Sequence, residues 1–91
     1  MAIEDVRGIA MEVYPNPNNG HQLFLSFGEQ VDHGRMEIRD AAGREVRSMN
    51  ITSAEGSVVT IDLNGSLAAG SYYVTVRAGE RWFGERLIVQ P

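Results

Sequence analysis

The stretch "VYPNPNNG", residues 13–20, decides the fold, because it sets two prolines, three asparagines and a glycine directly behind an apolar residue and a tyrosine. Proline lacks a backbone N–H and pushes the residue before it, here Tyr14 and Asn16, into extended geometry, so a first strand ends at this point. Asparagine and glycine tolerate the backbone of tight turns, so "NNG" then reverses the chain into a second strand. The stretch therefore predicts a structural role rather than a catalytic one.

Alternation of apolar and polar residues continues along the chain, and the helical period is nearly absent. About seven short segments show it, separated by turn signals every ~8–12 residues, as in antiparallel sandwiches with one wet face on each sheet. The predicted fold is all-β, a single immunoglobulin-like antiparallel β-sandwich of about seven strands. The residues predicted to lie inside it share one parity within each strand: Leu25, Phe27, Ile38, Val46, Ile61, Leu63, Val74, Val76 and Leu87.

Several turns and one strand start are also predicted. The first strand has Ile9, Met11 and Val13 on one side. "DAAGRE", residues 40–45, predicts a tight hairpin in which Gly43 adopts a positive φ. "SAEGS" and "RAGER" predict two further turns, at residues 53–57 and 77–81.

The strand after the hairpin contains a slip in its pattern. Val46 is predicted to point inward, whereas Met49 and Ile51 fall on the opposite parity. A one-residue slip of this kind predicts a β-bulge, here near Arg47 or Ser48.

Composition excludes several classes of protein. The chain has 91 residues, no cysteine and no lysine, and its net charge is −4. Without cysteine it is neither a disulfide scaffold nor a thiolate metal site. Nucleic acid is not expected as a partner, because phosphate binding needs clustered basic residues. No run of 18 apolar residues predicts a membrane-spanning helix, and the first residues lack the features of a signal peptide.

Nothing in the sequence predicts a catalytic, cofactor or metal site. The two histidines, His21 and His33, have only Asp32 as an acidic neighbour, so both are predicted to be solvated surface residues. The serines lie in no Gly-x-Ser-x-Gly context. "DLNG", residues 62–65, lacks the alternating acidic ligands of a calcium loop and is better explained as a turn.

Aromatic residues gather near the end of the chain: Tyr72, Tyr73, Trp82 and Phe83. They predict either a platform on which sugar rings stack or, as we favour, core packing and edge coverage. "LAAGSY" supports packing, because Leu67, Gly70 and Tyr72 have the spacing of a tyrosine corner, in which the hydroxyl bonds back to the preceding crossover.

Taken together, four of these stretches resemble the C-terminal sorting domains of the type IX, or Por, secretion system. They are "VYPNPNNG", "MEIRDAAGREV", "IDLNGSLAAGSYYVTV" and "RLIVQ", and with their spacing intact they span about residues 11 to 90. The family often has lysine where Arg86 stands, and the chain ends in Pro91. The residues that match the family pattern are Tyr14, Pro15, Asn16, Pro17, Gly20, Asp40, Gly43, Arg44, Leu67, Gly70 and Tyr72.

The resemblance implies a noncatalytic module that directs a cargo protein to secretion. Its implied partners are the outer-membrane type IX translocon, a shuttle, a sortase-like peptidase and an upstream cargo domain in the same precursor. Its implied location is the periplasm in transit, then the cell surface or the medium of a Gram-negative cell. Residues 1–10 would then be a linker from the cargo, and residues 11–91 the sorting domain.

The resemblance also suggests where the machinery reads the domain. The candidate recognition residues lie in the last strand: Arg86, Leu87, Ile88 and Val89. Alternation predicts that Arg86 and Ile88 face outward, and a terminal edge strand is expected to offer its backbone to a receptor.

Two alternatives remain open. One is a generic immunoglobulin-like spacer or adhesion module without an address. Related domains of the flagellar hook-capping type carry a longer insertion, for which "VVTIDLNGSLAAG" leaves no room. The other is a carbohydrate-binding accessory module, which requires Trp82 and Tyr73 to be exposed on one sheet face.

Overall fold

The chain folds as a sandwich of two β-sheets. A computed structural model describes residues 9–27, 31, 33–52 and 58–90. These residues form eight strands: β1 (Ile9–Ala10), β2 (Glu12–Tyr14), β3 (Gln22–Ser26), β4 (Gly34–Asp40), β5 (Glu45–Ile51), β6 (Val58–Asp62), β7 (Gly70–Ala78) and β8 (Arg81–Val89). No helix long and apolar enough to cross a bilayer occurs in this part of the chain.

The sheet order is that of an immunoglobulin-like sandwich. One sheet has five strands in the order β1-β8-β7-β4-β5, and the other has three in the order β2-β3-β6. In immunoglobulin nomenclature β8, β7, β4 and β5 correspond to strands G, F, C and C′, and β2, β3 and β6 to A, B and E. The predicted all-β sandwich is therefore confirmed.

The predicted first strand is divided between the two sheets. Ile9 and Ala10 pair in parallel with Phe83 and Gly84 of β8. After Met11 the chain crosses over, and β2 pairs antiparallel with β3. Alternation identified one segment here, because it cannot show that a strand changes its partner halfway.

The core lies between the sheets and contains most of the predicted side chains. Leu25, Ile38, Leu63, Val74, Val76 and Leu87 are fully buried, and Phe27 and Ile61 are almost so. Phe27 packs edge-on against Phe83, with ring centroids 5.0 Å apart. Val31 and Leu67, which lie in loops, also belong to the core.

Val46 is the one predicted core residue that the structure places outside, with 40% of its surface exposed. Ile38 pairs with Arg47 and Arg39 with Glu45, so Val46 is the extra residue of a bulge. The predicted slip is real, but it comes one residue earlier than predicted. After the bulge, Arg47, Met49 and Ile51 are the residues on the core side of β5, whereas Val46 faces solvent.

Two predicted local motifs are present as expected. The Tyr72 hydroxyl donates to the Ala68 carbonyl at 2.6 Å, which is the predicted tyrosine corner. Gly43 has φ 89° and its amide donates to the Asp40 carbonyl at 2.9 Å, which closes the hairpin between β4 and β5. Residues 77–81 turn at Gly79, with φ 66°, whereas the predicted turn at 53–57 lies outside the described residues.

Candidate recognition site: the terminal strand and its clasp

The last half of β8 presents its side chains as alternation predicts. Leu87 and Val89 are buried in the core, Arg86 is exposed and Ile88 is half-buried. The Arg86 guanidinium has no ion pair or hydrogen bond with any residue that the structure describes. Arg86 and Ile88 are thus the two candidate recognition residues that a partner can reach, whereas Leu87 and Val89 serve the core.

The side chain of Asn16 binds the free edge of β8. Its Nδ2 donates to the Arg86 carbonyl at 2.9 Å, and its Oδ1 accepts from the Ile88 amide at 3.0 Å. One side-chain amide thereby takes the place of a neighbouring strand, because it offers the donor and acceptor that a backbone peptide would offer.

The backbone of Asn18 continues this pairing towards the end of the chain. Its amide donates to the Ile88 carbonyl at 2.7 Å, and its carbonyl accepts from the Gln90 amide at 2.7 Å. These bonds form a parallel bridge between Asn18 and Val89. We call residues 15–20 the clasp, because they join the start of the domain to its terminal strand.

Hydrogen bonds within the clasp hold its shape. The Asn18 side chain is almost fully buried, at 1% exposure. Its Nδ2 donates to the carbonyls of Pro15 and Gln22, at 3.2 and 2.8 Å, and its Oδ1 accepts from the Gly20 amide at 2.7 Å. Every polar atom of this buried amide is therefore satisfied, as burial requires. Gly20 has φ 90°, which favours glycine at this turn.

On the side of β8 that faces away from β7, the backbone amides and carbonyls of Arg86 and Ile88 are all hydrogen-bonded. Glu85 Oε1 accepts from the Arg86 amide at 2.9 Å, and Asn16 and Asn18 bind the remaining outward amides and carbonyls. The first half of the same edge is covered by β1. The expectation that β8 is an open edge for strand addition is therefore wrong, whereas recognition of its outward side chains stays a prediction.

The loop after β6 supports the clasp from the other side. The amides of Leu63 and Asn64 both donate to the His21 carbonyl, at 2.8 and 3.2 Å, and the Gly65 amide donates to the Gly20 carbonyl at 2.7 Å. Asn64 has φ 53° and Gly65 φ 73°, so "DLNG" forms a turn. Tyr14, just before the clasp, stacks on Phe24 of β3 with centroids 5.4 Å apart.

The other matched motif residues stabilise turns away from this site. Asp40 Oδ1 accepts from the amides of Ala42 and Arg44, at 3.0 and 2.9 Å, and Arg44 Nε lies 3.3 Å from Oδ2. The hydrogen bond from the Arg44 amide, aided by the other two, lowers the pKa of the Asp40 carboxyl below its usual 3.8. Leu67, Gly70 and Tyr72 belong to the tyrosine corner.

The remaining residues singled out from the sequence lie apart from the clasp. His21 and His33 are both exposed, as predicted. Within the described ranges, no group of three or more acidic or histidine side chains is placed to hold a metal ion. Among the aromatic residues, Tyr72 and Phe83 pack inward, whereas Tyr73 is exposed and Trp82 half-buried on the outer face of the five-stranded sheet.

Sequence reasoning found the clasp residues but not their role. The prolines and asparagines were predicted to end a strand and form a turn. Asn16 and Asn18 also bind β8, a strand about 70 residues further along the chain. No signal in a single sequence links the two stretches, because the link is made by one side-chain amide and one peptide.

Comparison with known proteins identifies a family for this chain. Residues 12–90 match the family described as "Secretion system C-terminal sorting domain". A search of curated proteins found no match. The matched range begins with β2, includes the clasp and ends with the last strand that the clasp binds. The chain therefore belongs to the family of C-terminal sorting domains of the type IX, or Por, secretion system.

Proposed function

We propose that this chain is the noncatalytic C-terminal sorting signal, or address, of a larger secreted protein. It directs an upstream cargo domain to the type IX machinery, which moves the cargo across the outer membrane for attachment at the cell surface or release. Its partners are the outer-membrane translocon, a shuttle and a sortase-like peptidase. In this proposal residues 1–10 link the cargo to the domain, with Ile9 and Ala10 already paired to β8, and residues 11–91 carry the sorting signal.

The observation that carries this proposal is the clasped terminal strand. A receptor that exports many cargos must read what their sorting domains have in common, and the clasp is formed by the stretch "VYPNPNNG", which resembles the opening signature of the family. Because the outward backbone groups of Arg86 and Ile88 are already bonded, recognition falls to outward side chains held in a fixed register. Arg86 fits this role, because its guanidinium is exposed and unpaired within the described structure and offers five donors to a carboxylate or a row of carbonyls.

The simplest test asks whether the chain is an address at all. A periplasmic reporter protein fused in front of residues 1–91 is expressed in a cell that has a type IX system, and the reporter is measured in the periplasm and outside the cell. We expect export of the fusion and periplasmic retention of the reporter alone. Retention of a folded, intact fusion would show that the domain is a spacer.

Removing "RLIVQP" is a poor test of the address, because it also removes core. Leu87 is 0% and Val89 1% exposed, so the deletion unfolds the sandwich. The informative variant is Arg86→Ala, which removes one exposed charge and leaves the clasp bonds to the residue 86 backbone in place.

A further inference from the structure

The outer face of the five-stranded sheet has a charge opposite to that of the chain. Along β4, β7 and β8 it presents four arginines and one carboxylate, Glu37, whereas the whole chain has a net charge of −4. The arginines are Arg35, Arg39, Arg77 and Arg86. Glu45 on β5 faces Arg39 at the margin, and even with it the face keeps a positive charge. We call this surface the arginine face.

The pairing register arranges this face in rows across the strands. Arg35, Arg77 and Trp82 are direct cross-strand partners and form one row. Glu37, Thr75 and Gly84 form the next, about 7 Å along the strands, since each residue advances ~3.4 Å. Gly84 has no side chain there, and the Tyr73 hydroxyl lies 2.7 Å from where a Cβ would be, so the tyrosine ring lies over it.

A depression of ≈ 830 Å³ lies on this face, and half of its lining residues belong to these two rows. Its polar walls include Arg35, Arg39, Arg77 and Thr75, and the Trp82 indole forms an apolar wall. A volume of this size is typical of sites for small molecules and sugar units rather than for whole protein surfaces.

The arginines that line the depression differ in whether their guanidinium groups have hydrogen-bond or ion-pair partners. Glu37 lies 2.6 Å from Arg39 Nη2 and 3.4 Å from Arg35 Nε, so its single charge is shared between them. Arg35 also donates to Ser48 Oγ at 3.1 Å. Arg77, by contrast, has no ion pair or hydrogen bond with the residues that the structure describes, and it is exposed. One guanidinium therefore stands next to Trp82 with its donors free.

We propose that this depression binds an acidic sugar unit, with the carboxylate on Arg77 and the sugar ring against Trp82. A guanidinium pairs with a carboxylate through two parallel hydrogen bonds, and an aromatic ring packs well against the apolar face of a pyranose. Arg35 and Thr75 are placed to bind ring hydroxyls. An acidic peptide would also find the positive charge, but it would not need an aromatic wall beside a single free arginine. This proposal does not rest on the sorting function.

The protein offers its own reporter for the test, since Trp82 is its only tryptophan. The 91-residue protein is titrated with digalacturonic acid and, separately, with free galacturonic acid, while Trp82 emission is followed. We expect saturable quenching or a spectral shift with the oligomer, weaker binding of the monomer, and no effect of neutral maltose. Arg77→Ala should weaken binding at least tenfold. Arg86→Ala, on the same face but outside the depression, should leave binding within about twofold.

Four results would overturn the proposal. They are no change in emission up to millimolar sugar, equal binding of maltose, equal loss of affinity in Arg77→Ala and Arg86→Ala, and tighter binding of a tetraglutamate peptide than of the acidic sugar. Calorimetry with Trp82→Leu, compared with the unsubstituted protein, checks the stacking contact without the fluorescent reporter, because leucine has no aromatic ring; unchanged affinity there would contradict the assigned pose. Because Arg86→Ala tests export and Arg77→Ala tests sugar binding, failure of one proposal is distinguishable from failure of the other.

Discussion

Replacing Asn16 by alanine tests the clasp at the level of single amides. The variant removes both the donor to the Arg86 carbonyl and the acceptor for the Ile88 amide. A neutral hydrogen bond contributes about 0.5–1.5 kcal/mol net, and water can replace part of it at an exposed site. We therefore expect Asn16→Ala to lower the free energy of opening this edge by about 1–2 kcal/mol, a factor of about 5–30 in the population of the open form.

Hydrogen exchange read by NMR measures this opening directly. The Ile88 amide should exchange about 5–30 times faster in Asn16→Ala. The amides of Leu87 and Val89 point the other way, towards β7, because alternate residues of a strand bond to opposite sides. Their exchange should change little.

Asn19→Ala is the matched control, because its side chain accepts only from the His21 amide, at 3.0 Å, and does not bind β8. It should leave the Ile88 amide protected. An unchanged Ile88 rate in Asn16→Ala, or equal acceleration in both variants, would refute the assignment of the Asn16 side chain as the partner of the strand.

Three further predictions concern stability, each measured by urea denaturation. Ile61→Ala should lower the free energy of unfolding by about 2–5 kcal/mol because Ile61 is 1% exposed, whereas exposed Val46→Ala should lower it by under about 0.5 kcal/mol. A large effect of Val46→Ala would contradict the bulge. Tyr72→Phe should cost about 0.5–1.5 kcal/mol for the bond to Ala68, and no effect would remove the tyrosine corner from the account. Asp40→Ala should destabilise the protein at neutral pH. Because folding lowers the pKa of Asp40, its contribution to the free energy of unfolding is present above the unfolded value of ~3.9 and is lost as the pH falls through the lower folded value. A stability difference between Asp40→Ala and the unsubstituted protein that does not shrink in acid would contradict this.

Much of the fold could be predicted from the sequence because most strands have one wet face. In β3, β6 and β7 the residues that face the core are apolar, and most of those that face outward are polar. The alternation along each strand therefore predicts which side chains are buried, and several such strands together predict a sandwich. The hairpin and the tyrosine corner were predictable because both are closed by bonds between residues no more than four apart.

Two features of the fold were not predictable by the same reasoning. The change of sheet at Met11 was not predicted, because alternation within one segment does not show which strand each half of it pairs with. At Val46 the bulge position depends on which residue of β5 lacks a partner in β4, and that is fixed by pairing rather than by pattern.

For the candidate site, the sequence predicted which side chains of β8 face outward but not that residues 15–20 bind its edge. The outward positions of Arg86 and Ile88 follow from alternation. The closed edge of β8 does not, because it depends on where Asn16 and Asn18 lie after folding. The expectation of an open edge was wrong for this reason, and recognition through outward side chains takes its place in the proposal.

The most direct test of the address is export of the reporter fusion that carries Arg86→Ala, compared with Arg77→Ala and Arg86→Lys. The two positions lie on the same sheet face and are exposed, and none of the three replacements removes a side chain that forms a clasp bond. The account predicts that Arg86→Ala accumulates in the periplasm with a melting temperature like that of the unsubstituted domain, whereas Arg77→Ala is exported normally. Arg86→Lys should be exported to an intermediate degree, because lysine keeps the charge but has fewer donors than a guanidinium. Normal export of a folded Arg86→Ala fusion would contradict the account, and so would equal retention of Arg77→Ala.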